Sequence, residues 1–217
     1  MAKKKFKGEL GYRILTPIMR VLFKIYYNPK IINKNVIPTE GPIIIVGNHK
    51  HVFDQCLTIM ATKRTIHYLA KKEYFEGKLA WFFKLVGCIP VDRSKKDENA
   101  TSKALEILNN DGAIGLFPEG TRNKTNEQLL LPLKFGAVSM AKKTNATIIP
   151  FGLTGDYKFR SKNLIITYGT PFKIEDMDLE KANDYLTKEI SELMKNNLEN
   201  TNRTLDEELN SRLLKKE

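Results

Sequence analysis

Across residues 6–27 apolar side chains recur at Leu10, Ile14, Leu15, Ile18, Met19, Leu22, Ile25 and Tyr26. Steps of three and four residues predict an amphipathic helix. Arg13, Arg20 and Lys24 interrupt the run, and Pro17 predicts a kink or a restart. Residues 28–42 carry Pro29, Pro38, Gly41 and Pro42 and read as a linker. The β-branched run at 43–46 then predicts a buried strand ending at Gly47. Helices follow by pattern at 53–62, 101–109, 136–143 and 179–198, and strands at 66–69, 113–117, 147–153 and 164–168. Strands alternating with helices predict an α/β fold, a mixed β-sheet flanked by helices. The last residues read as solvent-exposed and partly frayed.

Charge changes this picture. The 217 residues hold 36 Lys and Arg against 25 Asp and Glu, a net of +11. The excess is uneven, because residues 175–217 carry 7 basic and 12 acidic side chains. Residues 1–174 therefore carry a net +16. A body this basic expects an anionic partner: nucleic acid, a membrane surface or an acidic substrate. Zinc-finger, RNA-recognition and interleaved Arg/aromatic signatures are all missing, which argues against nucleic acid. Lys3, Lys4, Lys5 and Lys7 precede the first helix. A basic amphipathic helix of this kind suits an anionic membrane interface. A helix packed on the body behind a solvated tail is the other reading of the same pattern.

No run approaches the ~18 apolar residues a spanning helix needs. The first residues lack the apolar core and cleavage site of a signal peptide, so the chain is expected on the cytoplasmic side. Two cysteines, Cys56 and Cys88, exclude a disulfide scaffold and a four-cysteine zinc site. Cys56 reads as a small buried residue rather than a nucleophile. Trp81, Phe82 and Phe83 read as core more than as a border for an acyl chain.

Two segments carry candidate chemistry. Gly47-Asn48-His49-Lys50-His51-Val52-Phe53-Asp54 follows the first buried strand, where open α/β sheets place their sites. A histidine held by a carboxylate is a general base in a fixed tautomer. On an ideal helix His49 and Asp54 would lie about 140° apart. His51 and Asp54, three apart, would face each other, so spacing alone slightly favours His51. Leu116-Phe117-Pro118-Glu119-Gly120-Thr121-Arg122-Asn123 follows another strand. There Gly120 permits close backbone approach, Thr121 offers a hydroxyl, and Arg122 offers a fork for phosphate or carboxylate.

Together, Asn48-His49 with Asp54 and then Phe117-Pro118-Glu119-Gly120-Thr121-Arg122 resemble the glycerolipid acyltransferase family, the PlsC-type 1-acylglycerol-3-phosphate acyltransferases. Two looser blocks fit in order: Gly87 to Arg93, and Ala146 to Gly152 with Pro150 inside it. The resemblance covers about residues 40–155. It implies that His49 is the base and Asp54 its orienting partner. It implies an acceptor site lined by Arg93, Glu119, Gly120, Thr121 and Arg122, with Asn48, Pro118 and Pro150 in support. Pro90 departs from the commonest form of the second block. The implied reaction moves a fatty acyl group from acyl-coenzyme A or acyl carrier protein to lysophosphatidic acid, giving phosphatidic acid. It needs no metal and no resident cofactor. Another lysolipid acceptor, or a non-catalytic anionic-lipid-binding module on the same fold, are the alternatives. The expected organisation is an N-terminal membrane-associating segment at 1–35, an acyltransferase domain at 36–175 and a charged helical segment at 176–217. The whole is expected to be peripheral to the membrane.

Overall fold

The computed structural model describes Phe6, residues 8–94 and residues 97–213. The expected basic tail of Lys3, Lys4, Lys5 and Lys7 lies outside the described residues. Seven strands form one sheet: β1 (Lys30–Ile32), β2 (Ile43–Gly47), β3 (Ile66–Lys71), β4 (Ile89–Val91), β5 (Ala113–Leu116), β6 (Thr147–Thr154) and β7 (Ile165–Tyr168). The helices are α1 (Glu9–Tyr26), α2 (Asp54–Ala61), α3 (Ala80–Leu85), α4 (Glu98–Asn109), α5 (Gly136–Thr144), α6 (Leu179–Glu199) and α7 (Leu205–Leu213). Strand order is β1-β7-β6-β2-β5-β3-β4. Every neighbouring pair is parallel except β6 with β7.

The middle strands are apolar on both faces because both faces are covered. Ile44, Val46, Ile114 and Ile148 pack with Ala104 and Leu108 of α4, Val138 of α5 and Leu186 and Ile190 of α6. Ile43, Ile45 and Ile149 pack on the other face with Leu57 of α2, Tyr68 and Tyr168. Val46 pairs with Leu116 and with Pro150, so β2, β5 and β6 run side by side in one direction. Their carboxyl ends, and the two candidate segments that follow β2 and β5, therefore lie along one edge of the sheet.

Three short elements escape the sequence pattern. β1 sits inside the expected linker and pairs with β7 over three residues. β4 contains Pro90, which demotes a strand by composition, yet it pairs with β3 at the sheet edge. α7 stands where frayed residues were expected, with Glu208, Leu209 and Arg212 buried. α6 belongs to the core: Ala182, Leu186, Ile190 and Met194 are fully buried.

α1 runs through Pro17 as one helix. It turns its small and polar side inward. Gly11 lies so close to α3 that an added Cβ would meet the Leu85 side chain at 2.4 Å. Tyr12 and Thr16 are buried, and Arg20 donates to the carbonyls of Ile59 (3.0 Å) and Thr62. The aliphatic stripe of Leu10, Ile14, Ile18, Val21, Leu22 and Ile25 faces outward, each residue 57–74% exposed. α3 continues that surface. Trp81 is 63% exposed, with Leu79, Phe82 and Leu85 exposed beside it, which corrects the expectation that Trp81 and Phe82 are core. A helix of six residues wedged against Gly11 has one buried side at most. Among the described residues no helix is long and apolar enough to cross a membrane.

Candidate active site

The chain leaves β2 at Gly47 in a loop, and α2 starts only at Asp54. Asn48 closes the strand end. Its Nδ2–H donates to the Leu153 carbonyl (2.9 Å) and its Oδ1 accepts the Leu153 N–H (2.8 Å). The side-chain amide thus stands in for the next backbone partner of β6.

His49 Nδ1 lies 2.8 Å from Asp54 Oδ2. The helical spacing that favoured His51 does not apply, because residues 49–53 are not helical. His51 meets Asp54 through its backbone N–H (2.8 Å), while its ring stacks on Tyr157 at 4.2 Å. The third histidine, His67, is buried on the Gly87 carbonyl (2.7 Å), and burial lowers its pKa.

Asp54 is fully buried and accepts four donors. Oδ2 takes His49 Nδ1, Lys50 N–H (2.7 Å) and His51 N–H, and Oδ1 takes the Tyr157 hydroxyl (2.7 Å). Burial pushes its pKa up, but the bond from His49, the nearby imidazole and the remaining donors outweigh that and hold it below the ordinary value. An ionised Asp54 can only accept, so Nδ1 carries a proton, and in the neutral tautomer that this selects Nε2 is the atom with the lone pair. Nε2 has no partner among the described residues, and the His49 side chain is 13% exposed. Phe117 stacks on the ring at 4.1 Å and fixes its plane.

The segment after β5 clamps the peptide of His49 from both sides. Glu119 Oε1 accepts the His49 N–H (2.6 Å), and the Asn123 N–H donates to the His49 carbonyl (2.6 Å). Glu119 Oε2 accepts the Leu131 N–H (2.9 Å). With 4% exposure and both oxygens engaged on backbone, Glu119 is placed as a brace. Burial raises its pKa against those two donors. Gly120 adopts φ +71°, and a Cβ there would meet the Lys134 side chain at 2.8 Å, so the glycine serves the turn itself. The Pro118 carbonyl accepts the Lys134 N–H (2.9 Å). Thr121 is exposed, and Arg122 is half-buried with no carboxylate partner among the described residues. Arg93, exposed beyond β4, reaches the Gly120 carbonyl through Nη1 (3.0 Å). That bond brings Arg93 to the loop that carries Arg122.

Pro150 lies within β6 opposite Val46, and its carbonyl accepts the N–H of Gly169 (2.9 Å), just beyond β7. Cys56 and Cys88 are both desolvated, which pushes each thiol up to about 12. Neither is a thiolate near neutral pH, so neither is a ready nucleophile.

Sequence reasoning missed Tyr157 and Asn123. Tyr157 comes from a distant segment with no local motif, and Asn123 closes the second segment but acts through its backbone N–H, which residue type does not encode.

A family profile described as Acyltransferase matches residues 28–154. The 1-acyl-sn-glycerol-3-phosphate acyltransferase of Bacillus subtilis (strain 168) is 30% identical over 146 residues, 66% of this chain and 71% of that protein. The protein of the same name from Streptococcus pneumoniae is 27% identical over 216 residues, 95% of this chain and 77% of its own. Among solved structures, the 1-acyl-sn-glycerophosphate (LPA) acyltransferase PlsC of Thermotoga maritima superposes with a TM-score of 0.71 at 19% identity. It covers 88% of this chain and 80% of its own, and the likeness is one of fold.

Proposed function

Because the chain belongs to the acyltransferase family and is an acyltransferase, we propose that its reaction is acylation of the 2-hydroxyl of lysophosphatidic acid by an acyl thioester, giving phosphatidic acid. The observation that carries this reading is the His49–Asp54 pair, with Nε2 left open at the carboxyl edge of the sheet.

A hydroxyl is a weak nucleophile. Nε2 takes its proton as the oxygen attacks the thioester carbonyl. The C–O bond forms, the tetrahedral intermediate collapses, the C–S bond breaks, and the imidazolium returns the proton to the thiolate. No acyl-enzyme is required. Positioned base catalysis of this kind contributes about 10²–10⁴-fold. Asp54 stabilises the imidazolium and keeps the tautomer.

Arg122 and Arg93 supply the positive charge for the acceptor's phosphate, and Thr121 borders it. Glu119 and Gly120 shape the loop rather than touch the acceptor. A charge-assisted hydrogen bond contributes about 1.5–3 kcal/mol. Arg122→Ala is therefore expected to raise KM for lysophosphatidic acid about tenfold or more, with a smaller change in kcat. Wild-type KM in that variant would remove the phosphate role.

The outward aliphatic stripe of α1 supports peripheral attachment to an anionic bilayer, where substrate and product reside. Contiguous exposed apolar surface of this kind marks an interaction site. Trp81 and Leu79 extend it, and Arg13, Lys24 and Lys84 lie exposed along it. Serine at Leu10, Ile14, Ile18 and Leu22 together is expected to weaken co-sedimentation with phosphatidylglycerol vesicles by at least about tenfold. Unchanged binding would refute the lipid-facing reading of α1.

The reaction is tested with purified protein in mixed micelles, offering lysophosphatidic acid with acyl-coenzyme A and with acyl carrier protein. Phosphatidic acid is the expected product, and the faster donor identifies the carrier. Product only from a different lysolipid would move the acceptor assignment. No product from any lysolipid would overturn the reading.

A further inference from the structure

α7 brings the acidic side chain of Glu208 into the interior, 0% exposed. Its Oε1 pairs with the Nζ of Lys50, the residue that follows His49, and that ammonium also donates to the Gly155 carbonyl (2.7 Å). Oε2 of Glu208 accepts the Gly155 N–H (2.9 Å) and lies 3.1 Å from Arg203 Nε. Arg203 forks onto Asp156 at 2.8 and 3.1 Å. Arg212, one turn on from Glu208, donates to the carbonyls of Gln128 and Leu129 (3.0 Å each).

Such a network stabilises little for its cost. Burying five charged groups carries a large desolvation penalty, and apolar replacements of buried ion pairs are often neutral or better. Its connectivity is more informative. Lys50 gives its backbone N–H to Asp54 Oδ2, while its side chain is tied to Glu208. Gly155, held by Glu208 at one peptide and by Lys50 at the next, leads in two residues to Tyr157, whose hydroxyl meets Asp54 Oδ1. Arg212 holds the 128–129 segment just before Leu131, whose N–H meets Glu119, which in turn holds the His49 N–H. Both oxygens of Asp54 and the peptide of His49 are thus reached from one helix turn near the C-terminus.

We propose that Lys50 and Glu208 are positioning residues for the His49–Asp54 pair, and that α7 is a clamp on the active-site loop. The proposal rests on the reading of His49 as the base. Without the clamp the 49–51 turn loses its anchor, Asp54 loses aligned donors, and the imidazole samples other orientations. Catalysis of this kind is sensitive to displacements of about 1 Å.

The test is Lys50→Met, which removes the ammonium and leaves Glu208 paired with Arg203 and Arg212. The full chain is used, with folding checked by melting temperature and circular dichroism. The expected result is a kcat lower by about 10–100-fold with KM for the acceptor within about twofold. Histidine ¹⁵N NMR gives a second readout independent of turnover. In wild type His49 is expected to show a single Nδ1–H tautomer in a strong hydrogen bond, and in the variant a mixture. A folded variant with wild-type kcat, or one slowed with an unchanged His49 spectrum, would overturn the proposal. If Lys50→Met does not fold, Lys50→Gln, which keeps a donor for Gly155 without the charge, is read by the same two criteria. If wild type itself turns over no lysolipid, the proposed function fails, and the NMR comparison alone decides the clamp.

Discussion

His49→Ala is expected to lower kcat by about 10³-fold, within the 10²–10⁴ range a positioned base supplies. The substitution removes the ring nitrogen proposed to take the acceptor's proton. It leaves the loop clamp intact, because Glu119 and Asn123 hold the backbone of residue 49 and not its side chain. The variant should therefore fold, and its KM for the acceptor should change little. Vesicle binding should persist, since α1 and α3 carry the exposed apolar surface. Steady-state acyl transfer, paired with vesicle co-sedimentation, separates these effects. Turnover within tenfold of wild type would show that another group accepts the proton.

Asp54→Asn should cost the reaction a similar factor and cost the fold as well. The carboxylate accepts four donors across two oxygens. An amide of the same size has one accepting oxygen, and its NH₂ would face donors. If its oxygen sits toward Lys50 and His51, its NH₂ meets the Tyr157 hydroxyl. If it is flipped, two backbone N–H groups and His49 are stranded. Each buried polar group left without a partner costs about 1–3 kcal/mol. For a chain of this length that corresponds to a melting temperature lower by about 2–12 °C. Activity falls because an uncharged amide no longer stabilises the imidazolium, and where the amide is flipped Nδ1 has no acceptor to define the tautomer. The pH dependence gives an independent reading. The native pKa of Asp54 is held below its unfolded value. Its contribution to stability is thus fully present above about pH 4 and is lost as pH falls through the depressed native pKa. The variant should lack that portion of the acid-induced loss. Thermal melts of both proteins between neutral pH and about pH 3 would show it, and parallel curves would refute it.

Much of the fold was legible along the chain. The apolar runs that became β2, β5 and β6 are continuous because those strands are buried on both faces, and the helical spacing of α6 matches its buried residues. β1 and β4 were not legible. Each is three residues long, and each depends on a partner strand already in place. α7 carries few apolar residues, and its burial rests on charges whose partners lie far away in sequence: Lys50 is 158 residues from Glu208.

The candidate site divides in the same way. His49, Asp54 and the block from Pro118 to Arg122 stand out by residue type and spacing, and their family assignment follows from the sequence. Spacing alone leaned toward His51, because it assumed a helix where the chain forms a loop. The resemblance implies that Glu119 lines the acceptor site; in the structure its two oxygens accept the backbone N–H groups of His49 and Leu131.

The sequence by itself determined the alternation of elements, the acyltransferase family and the short set of residues from which the site is proposed to be built. Only the tertiary structure decided how His49 reaches Asp54 across a loop, that the Glu119 oxygens lie on backbone N–H groups, that α1 turns its aliphatic stripe outward, and that α7 reaches the active-site loop. Periodicity records which side chains share a face. It carries no record of what covers that face, because covering is a contact between segments that folding alone brings together.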